Sequence, residues 1–222
     1  MAIAPIAPYA MPTSADLPAN RLPWSPDGER TALLIHDMQR YFLDPFSPGH
    51  SPLVELVDNT HRLRGHCASL QIPIIYSAQP GGQNPAERGL LLELWGKGIG
   101  ADPAHTDIIE PLTPRKGEIQ LPKFRYSAFK RTHLTELLTA LNRDQLIICG
   151  VYAHIGVLAT AADAFQHDIQ PIIALDAVAD FSAADHRQAL TSAAELYGVT
   201  FSTEQIIARL TPVRQDTLAD TS

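Results

Sequence analysis

Cysteine is nearly missing from this chain: two occur in 222 residues. Cys67 sits within a helical pattern and Cys149 ends an apolar run. That argues against a disulfide scaffold, and both read as small buried hydrophobes rather than reactive thiols. Positive charge is also scarce. Lys and Arg number 17 against 24 Asp and Glu, for a net charge of −7. A nucleic-acid surface needs clustered cations, so no nucleic-acid partner is expected. No stretch approaches the roughly 18 apolar residues that cross a bilayer. Residues 1–24 are rich in Pro and Ala, with Asp16 and Arg21 their only charged side chains. They lack the basic start and unbroken apolar core of a signal peptide, so a cytoplasmic protein without membrane contact is expected. GxGxxG and Walker A sequences are absent, which removes the usual support for nucleotide binding. With no HExxH, no CxxC and scattered histidines, neither a metal nor a cofactor is expected.

What is present is alternation. Apolar runs at Thr31–His36, Ile72–Ser77, Glu118–Pro122, Gln145–Cys149, Pro171–Leu175 and Val199–Ser202 read as strands. Helical patterns lie between them: Leu53 to Leu70 after a Ser51-Pro52 cap, Pro85 to Trp95, Thr132 to Asn142, Ile155 to Phe165 and Ser182 to Tyr197. Thr203 caps a last short helix. Six strand–helix alternations predict a three-layer, Rossmann-like α/β fold with a six-stranded, mostly parallel sheet and helices on both faces. The expected organisation is an extended arm over residues 1–24, one domain over 25–210 and a flexible polar tail over 211–222. In such sheets ligands bind beyond the carboxyl ends of the strands, at the switch in strand order. Asp37, Gln79, Lys123, the 150–156 turn and Asp176 all follow strand ends.

The turn after the fourth strand reads Gly150-Val-Tyr-Ala-His-Ile-Gly156. Many α/β hydrolases place a nucleophile at such a strand-to-helix turn. Gly156 cannot attack anything, so an enzyme with this frame works without a covalent step.

Three segments, Leu33-Leu-Ile-His-Asp37-Met-Gln, Pro122-Lys123-Phe-Arg-Tyr-Ser-Ala-Phe129 and Cys149-Gly-Val-Tyr-Ala-His-Ile-Gly156, together resemble the isochorismatase family within the cysteine-hydrolase superfamily. The resemblance spans about residues 8–207. Amidases of that superfamily use an Asp–Lys–Cys triad. The resemblance puts Asp37 and Lys123 at its first two positions and Gly156 at the cysteine's, which resembles the branch that cleaves a vinyl ether and releases pyruvate. It implies a homodimer, and a small dicarboxylate as substrate: 2-amino-2-deoxyisochorismate, as in phenazine biosynthesis, or isochorismate, as in catechol siderophore pathways. Ether protonation at the terminal methylene carbon needs a general acid, for which Asp37 is expected, with Lys123 orienting it. Burial and the substrate's carboxylates favour protonated Asp37, and a close Lys123 favours the ionised form.

For binding, Arg88 is the expected carboxylate clamp. Gln79, Tyr126 and Tyr152 are expected to donate hydrogen bonds, and Trp95 and Phe42 to wall the ring. Ile155 and the first N–H groups of its helix are expected to face the anion. Gly156 is expected to leave room for substrate, while His36, His154, Asp176 and Asp180 are expected to be structural. Phe124 departs from the Trp found beside the lysine in family members. No carrier-domain motif follows the hydrolase region, so a free-standing enzyme of the phenazine type is favoured. A non-catalytic binding protein is the rival reading.

Overall fold

A computed structural model describes residues 3–210; the tail expected over 211–222 lies outside them. The strands are β1 (Thr31–His36), β2 (Ile74–Ala78), β3 (Ile119–Pro122), β4 (Gln145–Val151), β5 (Gln170–Ala179) and β6 (Val199–Phe201). The helices are α1 (Arg40–Leu43), α2 (Leu53–Ser69), α3 (Pro85–Arg88), α4 (Leu91–Trp95), α5 (Pro103–Thr106), α6 (Leu134–Ala140), α7 (Leu158–Gln166), α8 (Ala183–Ser192) and α9 (Thr203–Leu210). One sheet orders the strands β3-β2-β1-β4-β5-β6, and every neighbouring pair is parallel. The expected architecture is present.

Strand alternation builds the three layers. Leu33, Ile35, Tyr76, Ile147, Cys149, Ile172 and Ala174 point to the face covered by Leu56, Leu63 and Cys67 of α2 and Ile206 of α9. Their neighbours Ala32, Leu34, Ile75, Leu146, Ile148 and Ile173 face Leu134 and Leu138 of α6, Ala161 of α7 and Leu190 of α8. With both faces covered, β1 and β4 are buried along their whole length, which is why they read as unbroken apolar runs. Cys67 and Cys149 are buried and unpaired.

Several boundaries differ from the sequence reading. The helix expected over Pro85–Trp95 is two helices, because Gly89 at φ +55° interrupts it. The helix expected from Ile155 begins with a π-helical turn, Ala153–Val157, before α7. Pro52, not Ser51, caps α2. β5 continues through Asp176, whose carboxylate accepts from the N–H and hydroxyl of Thr203, both at 2.7 Å. Asp176 thus caps α9 rather than facing a ligand.

Two polar clusters pin connecting segments to this frame. Arg64 of α2, 1% exposed, donates to both carboxylate oxygens of Glu118 at 2.9 and 2.8 Å and to the carbonyls of Pro111 and Thr113. This fixes the approach to β3. Residues before β1 are also held against this frame: Ile6 is buried and bridged to Phe46, and the Tyr9 hydroxyl accepts from the Asp180 N–H at 2.8 Å. That hydroxyl also lies 3.2 Å from Nδ1 of buried His186, whose Nε2 meets the Leu175 carbonyl.

Burial holds the His186 imidazole neutral, pushing it down to about 4. An imidazole that titrates lower when folded makes the unfolded chain take up protons first, so stability is complete above about pH 6.5 and declines as pH falls toward about 4. The thermal midpoint is therefore expected to drop between pH 7 and pH 5, before most carboxylates protonate, and His186→Gln to flatten that slope. A His186→Gln profile parallel to wild type would contradict the assignment.

Candidate active site

The switch in strand order falls between β1 and β4, and four strand ends meet there. β1 delivers Asp37, β2 Gln79, β3 Lys123, and β4 the turn holding Gly156. The sequence supports this convergence because each polar residue comes directly after an apolar strand.

Asp37 leaves β1 with φ +52°, in the left-handed region, which costs a non-glycine residue about 1–2 kcal/mol. Its N–H donates to the Ser77 carbonyl at 3.0 Å, which holds the turn. The carboxylate is 3% exposed at residue level and has three partners. Lys123 Nζ lies 2.8 Å from Oδ2, the Ser77 hydroxyl donates to Oδ1 at 3.0 Å, and Gln79 Nε2 reaches Oδ2 at 3.4 Å. Lys123 is equally buried, and its ammonium also donates to the Arg125 and Tyr126 carbonyls at 2.8 and 3.3 Å. Gln79 Oε1 accepts from Arg88 Nη1 at 3.2 Å, so one amide spans from the acid to the guanidinium.

These groups line a small cavity of about 60 Å³ that opens to solvent. Every residue expected at the site borders it: Asp37, Lys123, Gly156, Gln79, Arg88, Trp95, Phe42, Tyr126, Tyr152 and Ile155. Among the described residues Asp37 is its only acid; Arg88 and Lys123 are its cations, and the remaining wall is mainly aromatic and aliphatic. The lining also includes Ile3, Tyr41 of α1, Leu91 of α4, Gly98 and Phe181 beyond β5, which the sequence did not single out, and Val151 of the 150–156 turn. The first five come from loops or short helices whose spacing carries no periodic signal. Ser77 was within reach, since parallel register places it beside His36.

Three expected roles change. The Tyr152 hydroxyl donates to the Phe42 carbonyl at 2.6 Å, so Tyr152 offers its ring to the cavity and its hydroxyl to α1. The N–H of His154 donates to Asp180 Oδ2, and those of Ile155 and Val157 to the Tyr152 carbonyl, which leaves these three unavailable to an anion. Gly156 makes no room for substrate with its missing side chain. A Cβ there would run into Cε1 of His36 and lie 3.0 Å from its Nε2. The space is filled by protein.

Other roles stand. Tyr126 accepts from the Trp95 indole N–H at 2.7 Å, which leaves its own proton to donate. His154 pairs with Asp180 at 2.6 Å, in a structural cluster with Phe181. Burial pushes the His36 imidazole down to about 4 against the pull of the Asp37 carboxylate. Neutral His36 donates from Nδ1 to the Val151 carbonyl at 2.9 Å.

Residues 31–205 match the family model described as the isochorismatase domain. The chain is 49% identical over 210 residues to a Bacillus subtilis protein named isochorismatase, covering 95% of this chain and 67% of that one. It is 46% identical over 202 residues to the phenazine biosynthesis protein PhzD of Pseudomonas fluorescens, covering 91% and 97%. A solved cysteine hydrolase from Pseudomonas syringae pv. phaseolicola superposes with a TM-score of 0.77 at 25% identity, covering 86% and 96%.

The Asp37–Lys123 pair is buried, so removing one partner strands the other. Lys123→Met is expected to lower unfolding free energy by about 3–5 kcal/mol at pH 7, measured by urea denaturation. Adding Asp37→Asn should recover much of that loss. Equal midpoints for wild type and Lys123→Met would refute the pairing.

Proposed function

The chain belongs to the isochorismatase family, and from that footing we propose that it hydrolyses the enolpyruvyl vinyl ether of 2-amino-2-deoxyisochorismate, of isochorismate, or of both, releasing pyruvate. The observation that carries this reading is a single buried carboxylate, Asp37, salt-bridged at 2.8 Å to Lys123 on the wall of a cavity whose nucleophile position is a glycine.

The chemistry follows from those groups. As the substrate's carboxylates bind beside Lys123 and take up its charge, Asp37 accepts a proton from solvent. It then transfers that proton to the terminal methylene carbon, the C=C electron pair forming the new C–H bond, and an oxocarbenium ion results. Water adds to the cationic carbon and returns a proton to Asp37. The hemiketal then collapses: its hydroxyl proton moves to the ring oxygen, the C–O bond to the ring breaks, and pyruvate leaves with a ring alcohol. One water is consumed and no bond to the protein forms. Lys123 supplies positive charge beside the substrate's carboxylates and orients Asp37, while Arg88 clamps a carboxylate end-on. The Tyr126 hydroxyl proton is available to a ring substituent, and Phe42, Trp95, Tyr152 and Ile155 wall the ring.

The two substrates differ by a hydroxyl or an amine on one ring carbon. Telling them apart needs a group paired to that substituent; Asp37 is the one acid among the described residues of the wall, and we assign both as substrates. In this reading residues 25–210 form the hydrolase domain and residues 1–24 an arm that lends Ile3 to the site. A cytoplasmic homodimer is the working state we assign. The strongly exposed Leu90, Leu94 and Leu196 are candidates for a covered face, and sedimentation velocity checks the assignment.

Purified protein is expected to release pyruvate from both substrates in a coupled lactate-dehydrogenase assay. Release from isochorismate alone would favour the strict isochorismatase, and release from neither the non-catalytic binding protein. Asp37→Asn should lower kcat by roughly 10²–10⁴-fold, the usual contribution of general-acid catalysis; an active Asp37→Asn enzyme rules out the assigned acid. Arg88→Lys keeps the charge but loses the fork, and is expected to act mainly by raising KM.

A further inference from the structure

We propose that His36 is a positioning residue of this site, its imidazole occupying the volume a nucleophile's side chain would take at position 156 and thereby fixing the backbone that presents Asp37. The inference rests on the acid role assigned to Asp37.

His36 is the last residue of β1, with Ser77 beside it on one side and Gly150 on the other. Its side chain is fully buried. Two glycines of the same β4 turn make that position possible. Gly150, at φ +108°, passes so close to His36 that a Cβ would collide with the histidine's own carbonyl. Gly156 lies against the ring, where an added Cβ would strike Cε1 and stand 3.2 Å from Nδ1. The Val151 carbonyl, between the two glycines, accepts from Nδ1 at 2.9 Å. The β4 turn therefore grips His36 at its backbone, at its ring and at Nδ1, and the Tyr126 backbone also reaches the imidazole.

The groups facing the ring are Asp37, whose Oδ2 is 3.8 Å from Nδ1, and Lys123, whose charge helps keep the imidazole neutral. A neutral ring cannot compete with Lys123 for the carboxylate. Its contribution is steric. The next residue must turn through a left-handed φ, and a ring locked on three sides leaves the start of that turn no freedom. Positions 36 and 156 then behave as one exchange. A ring from β1 demands a glycine in the turn, and a side chain in the turn demands a smaller residue on β1. Glycine is required here by the protein's own interior, not by substrate size.

The test is a double-mutant cycle with Gly156→Ala and His36→Asn, asparagine retaining an N–H near the Nδ1 position. Gly156→Ala alone is expected to lower the thermal midpoint by roughly 3–10 °C, as overpacking does. In the His36→Asn background the same change should cost less than about 2 °C. Losses that add overturn the shared-volume claim. If Gly156→Ala alone does not fold, a folded double variant with the midpoint of His36→Asn supports the claim, and an unfolded one overturns it.

The second readout is pyruvate release by His36→Asn. A fall in kcat of about 10²-fold, with KM within about twofold, is the expected signature of a misplaced acid. Unchanged kcat, or a loss confined to KM, overturns the positioning role. If wild type releases no pyruvate, the functional reading fails and this role fails with it. The midpoint comparison still decides the shared volume independently of any reaction.

Discussion

The site depends on a pair of opposite charges almost wholly withdrawn from water. Asp37 and Lys123 are both buried, and each makes the other's burial tolerable. The pair is assembled from β1 and β3, which lie two positions apart in the sheet, so it exists only when β2 is correctly registered between them. Ser77, at the end of β2, then donates to the same carboxylate. Catalytic geometry and sheet register are consequently one property. A slip in pairing would bury two unpartnered ions along with misplaced side chains.

Around this pair the polar groups form a chain rather than a scatter. Gln79 touches Asp37 through its amide nitrogen and Arg88 through its oxygen, which fixes the amide's orientation without any ligand. Trp95 donates to Tyr126, which fixes the direction of that hydroxyl's remaining proton. Each is an instance of preorganisation: the donors are aimed before a substrate arrives, and aiming costs nothing during reaction. Lys123 is tethered in the same way by the Arg125 and Tyr126 carbonyls, so its ammonium is held in place by main chain as well as by Asp37.

The fold was legible because its strands are buried on both faces. An unbroken apolar run such as Leu33 to Ile35 has no other place in a chain of this composition. The residues directly after those runs were legible too, since strand ends are where parallel sheets open to ligand, and all ten expected site residues do border the cavity. What the sequence concealed was geometry across long separations. Nothing in Gly156 announces that His36, 120 positions earlier, fills its missing side chain, nor does Tyr152 announce that its hydroxyl is spent on Phe42. The π-helical turn at Ala153–Val157 and the break at Gly89 escaped for a related reason. Both are local departures from a good helical pattern, which apolar periodicity does not encode.

The two tryptophans stand in very different surroundings. Trp95 forms part of the cavity wall, its indole N–H on Tyr126 and its ring 6.3 Å from Phe181. Trp24 lies against Phe165 of α7, with ring centroids 6.5 Å apart, and does not border the cavity. The molecule thus carries its own optical gauge. Whatever enters or leaves the cavity changes the polarity around one indole, while the other supplies a steady background, so occupancy can be followed by intrinsic emission without a label and even in variants that no longer turn over.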